Sequence, residues 1–181
     1  MLRSIESIKR LYATGSKDRS LLQSIVSNEV EKALKDWIKY SSDPGVLIGG
    51  LAVSYHAVPR STMDIDIIFS GVPPLTVNNF KKIRPHAFEH KPTGVEIEVL
   101  TASFLNISQA LVDKVHASAH KSDGMLVASL EGLISLKLQR GSRQDLADIE
   151  TILKVFPHIS LTGWPLSDAQ LKIFNDIKNE H

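Results

Sequence analysis

Between Val46 and Phe69 the chain reads VLIGGLAVSYHAVPRSTMDIDIIF, and the end of that stretch sets the strongest limit on what the chain can fold into. Asp64 and Asp66 alternate with Ile65, Ile67 and Ile68 at the period of a strand, so both carboxylates point the same way. Residues two apart on a strand lie roughly 6.5 to 7 Å apart along it, close enough for two side chains to converge on one cation. Burying an unpaired charge is costly, and an ordinary core strand does not carry two acids on one face. Two alternatives remain: a solvated strand end and a cation site.

The residues before this strand bear on that choice. Val46, Leu47 and Ile48 form a short apolar run that stops at Gly49-Gly50, where missing side chains allow a sharp turn and let a ligand approach the backbone. Leu51 to Ala57 fits a helix of about two turns. The free N–H groups at its start suit a phosphate, although a glycine pair by itself signals only a turn. Hard carboxylate oxygens suit Mg²⁺ or Mn²⁺, and a phosphate cradle followed by such a site is what nucleotide chemistry needs.

The segment GGLAVSYHAVPRSTMDIDII resembles the signature of the nucleotidyltransferase superfamily with the DNA polymerase beta type core. More narrowly it resembles the AbiEii-like bacterial branch, which contains toxins of toxin–antitoxin systems. The resemblance covers roughly Val46 to Leu153 and rests on the glycine pair, Arg60, Thr62 and the Asp-x-Asp pair occurring in order. It implies an α+β fold, a nucleotidyltransferase-type mixed β-sheet flanked by α-helices. It also implies that Gly49, Gly50, Arg60 and Thr62 contact the triphosphate and that Asp64 and Asp66 hold Mg²⁺ or Mn²⁺. A third carboxylate on a later strand falls, by the order of GVEIEVLT, on Glu98, with Glu96 the rival on the same face. The family residue there is often aspartate, and the extra methylene alters metal placement.

The segment SLEGLISLKLQRGSRQDLADIETIL resembles the same branch, where a helix ending in a lysine precedes a basic residue and an Asp-x-x-Asp run. Lys137 and Asp145 inherit an active-site role from that resemblance, Lys137 against the triphosphate, with Asp148 the alternative to Asp145. The competing reading makes Lys137 a helix-surface charge and Arg143, Asp145 and Asp148 local ion pairs, worth under about 1 kcal/mol each if exposed. The implied activity is Mg²⁺-dependent transfer of a nucleoside monophosphate from an NTP to a hydroxyl acceptor: tRNA, a protein, or a small molecule such as an antibiotic. A toxin of this kind would have an antitoxin protein as partner. The alternative is a catalytically inactive nucleotide- or partner-binding regulator of the same fold.

With 181 residues the chain has the size of one domain, expected as a helical segment over 1–43, a catalytic core over 46–128 and C-terminal helices over 129–181. Lys+Arg of 21 against Asp+Glu of 20 leaves a net charge of +1, so no global field announces a nucleic-acid partner. Cysteine is absent, which excludes disulfides and thiolate metal sites and fits a reducing compartment. No run approaches the roughly 18 apolar residues of a membrane span, and the N-terminus lacks a signal peptide's apolar core, so a soluble cytoplasmic protein without a membrane partner is expected.

Elsewhere the pattern predicts helices through Leu2, Ile5, Ile8 and Leu11, and from a Ser20–Gln23 capping box through Ile38. A short helix is expected over Leu75–Ile83, whose basic run Lys81, Lys82 and Arg84 is a solvated face or a contact for an acceptor's phosphates. Phe88–Lys91 and Val95–Leu100 read as a hairpin through Pro92-Thr93-Gly94, and Ser103–Val115 as a helix. His56 near a helix end reads as partly exposed or as a ligand. His116 and His120, four apart, suit a metal if both lie on one helix. Met125–Ala128 is a strand; Ser129 caps a helix to about Gln139, Gly141 breaks it, and a second helix follows. Trp164 packs on the body from the loop Ser160–Pro165, and a Ser167–Gln170 capping box starts the last helix.

Overall fold

Ser27 holds an extended backbone (φ −65°, ψ 156°) and its hydroxyl accepts the Val30 N–H, which starts helix α1, Asn28–Tyr40. The computed structural model describes residues 27–56, 64–122 and 124–180. This helix begins at Asn28; the expected start at the Ser20–Gln23 capping box and the helix through Leu2 to Leu11 lie outside the described residues. Val30, Ala33, Leu34 and Trp37 form its buried stripe. Trp37 meets Phe80 and Phe88 edge-on at centroid distances of 5.3 and 5.6 Å, and its indole N–H donates to the Pro44 carbonyl at 3.0 Å. Both ends of the amphipathic indole are therefore satisfied, which pins α1 to the sheet. Asp36, on the same helix, meets the fully buried His90 at 2.9 Å.

The strands are β1 (Val46–Ile48), β2 (Ile65–Phe69), β3 (Phe80–Arg84), β4 (Ala87–His90), β5 (Glu96–Thr101), β6 (His120–Ser122) and β7 (Met125–Val127). They form one seven-stranded mixed sheet in the order β3-β4-β5-β2-β1-β7-β6. β2 runs parallel to β5 and antiparallel to β1, which is parallel to β7; β3-β4-β5 and β6-β7 are antiparallel. Helices α2 (Gly49–Tyr55), α3 (Ala102–Leu105), α4 (Gln109–Ser118), α5 (Leu130–Arg140), α6 (Arg143–Val155) and α7 (Asp168–Asn179) flank the sheet. Ile65, Ile67, Ile68 and Ile97 are wholly buried, as a strand covered on both faces requires. Among the described residues no helix is long and apolar enough to cross a membrane.

Several expected elements stand as read: the hairpin β4–β5, the strand β7, the Gly141 break between α5 and α6, and the Ser167–Gln170 capping box of α7. Others differ. Phe80–Arg84 is a strand and not the end of a helix: Val77 and Phe80 are buried but Leu75 is 74% exposed, so no apolar helix face exists there. The expected helix Ser103–Val115 is broken, because Asn106 turns left-handed (φ 53°) after α3 and Ser108 caps α4 at the Leu111 N–H. The glycine pair also does not precede α2 but forms its first residues.

Gly49 combines a left-handed φ of +66° with a position where an added Cβ would overlap the Asp66 carboxylate. Gly94 has a similar φ of +74° in the hairpin turn but open space around it. Gly94→Ala should therefore cost about 1 kcal/mol from backbone strain alone. Gly49→Ala should cost more, about 2 to 3 kcal/mol, because the carboxylate must also be displaced. Chemical denaturation of both variants checks this, and equal losses would mean that the Gly49–Asp66 packing contributes nothing.

Candidate functional site

β2 carries Asp66 into the centre of the sheet, where its cross-strand neighbours are Ile48 of β1 and Glu98 of β5. Neighbouring strands lie about 4.8 Å apart, so the parallel register sets the two carboxylates side by side. Asp64 sits exposed just before the strand. Burial first, and then the negative charges of Glu98 and Asp64, push the Asp66 carboxyl above the usual carboxylate range; Arg140 and Lys137 only partly offset this. A carboxyl held in that condition is relieved by a proton or by a cation.

Glu96 does not share the position of Glu98. Arg84 pairs with Glu96 and lies 3.8 Å from Glu98, and of the two acids it is Glu98 that lines the cleft beside Asp66. That cleft has a volume of about 290 Å³. Its charged lining is Asp66, Glu98, Lys137, Arg140 and Asp145, its apolar lining Ile48, Leu100, Phe104, Leu105, Ile107, Leu133 and Leu136, and Gly49, Gly50 and Gln139 complete it.

The basic part of the lining, Lys137 and Arg140, comes from the last turn of α5. Ser142 caps α6, and Asp145 at the third helical position returns a bond to the Ser142 backbone, closing a capping box. Asp145 is fully buried and takes the Arg140 fork with both oxygens, Nε to Oδ2 at 2.7 Å and Nη2 to Oδ1 at 2.5 Å. Lys137 Nζ is 3.5 Å from Oδ1, and the Ser142 hydroxyl donates to Oδ2 at 2.6 Å. Burial by itself would raise this acid; the hydrogen bonds from Arg140 and Ser142, with the charges of Arg140 and Lys137, outweigh it and lower its pKa to about 2. Arg140 is in turn held above its ordinary value, first by its hydrogen bond to Asp145.

Lys137 is no helix-surface charge. It is 6% exposed, and its ammonium meets Asp148 Oδ2 at 2.5 Å, so the expected exposed local pairs are in fact a buried network. The basic partner of Asp145 is Arg140 rather than Arg143, which is exposed at the first position of α6. The fold thus brings Gly49, Gly50, Asp66, Glu98, Lys137 and Asp145 into one cleft from distant parts of the chain. Asp148 supports Lys137, while Arg60 and Thr62 lie outside the described residues.

His56 and His116 each meet a backbone carbonyl. His56 Nε2 lies 2.8 Å from the Ala128 carbonyl. His116 on α4 lies 3.2 Å from the Ile68 carbonyl, and His120 is on β6, so the two do not share a helix as a metal pair needs. Lys81 and Lys82 lie exposed on the edge strand β3. The sequence reading missed Arg140 and the apolar lining. The signal for Arg140 was Ser142-x-x-Asp145 after Gly141, which announces a helix start whose buried acid needs a nearby cation.

Among the described residues no group of three or more His, Asp or Glu side chains is gathered as a metal site. The cleft offers instead the adjacent pair Asp66 and Glu98. That donor set still fits Mg²⁺, which keeps several waters and is bound through one or two carboxylates plus substrate phosphates. Set against known protein families, curated proteins and solved structures, the chain matches none of them.

The buried network makes two measurable demands. Lys137→Met leaves Asp145 and Asp148 short of a cation and should cost about 3 to 5 kcal/mol in denaturant unfolding, much of it recovered when Asp148→Leu is added. Loss of only a few tenths would mean that the network is solvated. Asp145, with its pKa lowered to about 2, stabilises the fold fully above the unfolded carboxylate range. That stability, about 2 kcal/mol, is lost as pH falls through the range toward pH 2, so Asp145→Asn should flatten the acid side of the stability–pH curve.

Proposed function

We propose that this protein is a nucleotidyltransferase that moves a nucleoside monophosphate from an NTP to a hydroxyl acceptor, with Mg²⁺ or Mn²⁺, on a nucleotidyltransferase-type fold. The observation that carries the reading is the juxtaposition, in one cleft, of the Asp66–Glu98 pair with the cations Lys137 and Arg140. A metal–triphosphate complex has the matching arrangement of charges. Asp66 and Glu98 would hold the cation; Asp64, exposed before the strand, does not line the cleft. When bound, the cation would offset phosphate charge and polarise the phosphoryl group.

The chain's own residues account for the remaining requirements. Arg140 is exposed over much of its side chain (68%) although its fork is tied to Asp145, and a guanidinium has more N–H donors than one carboxylate takes. It can therefore hold a phosphate while Asp145 fixes its position. Lys137, buried in the same cleft, adds positive charge there. Glu98, whose side chain is 40% exposed, receives the acceptor's proton as its oxygen attacks the α-phosphorus, the bond to the β-phosphate oxygen breaks and pyrophosphate leaves. The acceptor is tRNA, a protein or a small molecule such as an antibiotic; with a macromolecular acceptor, the protein fits the toxin half of a toxin–antitoxin pair.

A second reading, a nucleotide-binding regulator without turnover, is favoured by one observation. Arg84 reaches both Glu96 and Glu98, and so competes for the acid that the chemistry needs.

Calorimetric titration with ATP or GTP should show binding with Mg²⁺ or Mn²⁺ and none in EDTA. Asp66→Asn should abolish transfer of labelled nucleotide to total RNA, to the protein itself and to a small-molecule panel. Because the Asp66 carboxyl is held high, its charged form weakens the fold as pH rises above the usual carboxylate range, so Asp66→Asn should melt no lower than wild type at neutral pH. Equal nucleotide binding with and without EDTA would overturn the metal-centred reading. Nucleotide binding without transfer by wild type would favour the regulator.

A further inference from the structure

Phe104 is 47% exposed although it lines the cleft, and the geometry around it is fixed from several sides. Thr101 caps α3 by accepting the Phe104 N–H at 3.2 Å, and the left-handed Asn106 ends the same short helix. His86, in the β3–β4 turn, stacks against the Phe104 ring with centroids 3.7 Å apart and planes tilted by 35°. The His86 carbonyl accepts the Val99 N–H at 2.8 Å, which ties this backing residue to β5, the strand that bears Glu98. An aromatic ring held in place yet left open forfeits the burial that normally stabilises it. Leu100, Leu105 and Ile107 line the same cleft, and so do Asp66 and Arg140. A ligand that uses both kinds of lining carries a flat apolar ring and anionic groups.

We infer that Phe104, backed by His86, is the stacking platform for the base of the bound nucleotide; this rests on the nucleotide reading of the cleft given above. Stacking uses the π-face that every base has, and the apolar lining supplies few groups for reading a base edge. The site therefore accepts purine and pyrimidine nucleotides alike, with preference following stacking strength.

The test compares ATP with inorganic tripolyphosphate, both with Mg²⁺, by calorimetry on wild type, Phe104→Ala, Phe104→Leu and Phe104→Trp, with a melting curve for each. Wild type should bind ATP more tightly than tripolyphosphate. Phe104→Ala should weaken ATP roughly tenfold and leave tripolyphosphate unchanged. Phe104→Leu, which keeps apolar bulk without the ring, should behave as Phe104→Ala, and Phe104→Trp should restore ATP affinity. Unchanged ATP affinity in the Ala and Leu variants, or equal weakening of both ligands, would overturn the platform. Wild type binding tripolyphosphate as tightly as ATP would overturn it while leaving the phosphate-and-metal reading intact. Wild type binding neither ligand would overturn both.

Discussion

The parallel pairing of β2 with β5 is the interaction on which the rest depends. Its register, Ile65 with Ile97, Asp66 with Glu98 and Ile67 with Val99, buries the apolar residues of both strands and sets two acids side by side. A slip of one residue would turn every side chain of β2 to the other face, giving the isoleucines the wrong packing partners and taking Asp66 from the cleft together. Core packing and site geometry thus answer to one register.

The charges in the cleft divide by how completely they are compensated. Asp145 is saturated by Arg140, Ser142 and Lys137, and its acidity is accordingly strengthened. Asp66 is buried beside repulsive neighbours that Arg140 and Lys137 offset only in part, and its acidity is weakened. Two aspartates in one cleft are therefore pushed in opposite directions by their surroundings, which separates a positioning acid from one suited to a ligand. The saturated acid also explains why Arg140 can be both exposed and ordered: its fork is anchored at a buried point while the rest of the side chain reaches the cleft.

How much of this was legible in the sequence depended on the range of the interactions involved. Asp64 and Asp66 among isoleucines showed a strand, and the Ser167–Gln170 pair showed a helix start, since each signal is contained within a few residues. β3 was hidden because its strand character comes from pairing with β4 and from Phe80 packing on Trp37, neither visible in its own spacing. The break at Asn106 was hidden because one left-handed residue outweighed a continuous helix-compatible pattern. In the site, the sequence order pointed to Glu98 over Glu96, and the register of β5 against β2 supplies a physical basis for that preference. Burial of Lys137 could not be read, because a lysine in an amphipathic helix looks the same whether its acid lies in solvent or beneath the next helix.

The edges of the sheet bear on how this protein behaves in concentrated solution. β3 forms one edge and β6 the other, and an unpaired edge is a template for adding a strand from another chain. With 21 basic against 20 acidic residues, little net repulsion keeps copies apart. Protection is local instead: Lys81, Lys82 and Arg84 occupy most of the exposed run of β3, and Lys121 lies exposed on β6. A second copy approaching either edge in β-register would bring like charges together and strip them of water. The basic run on β3 thus has a use independent of any ligand: it disfavours the addition of a strand from a second copy at that edge.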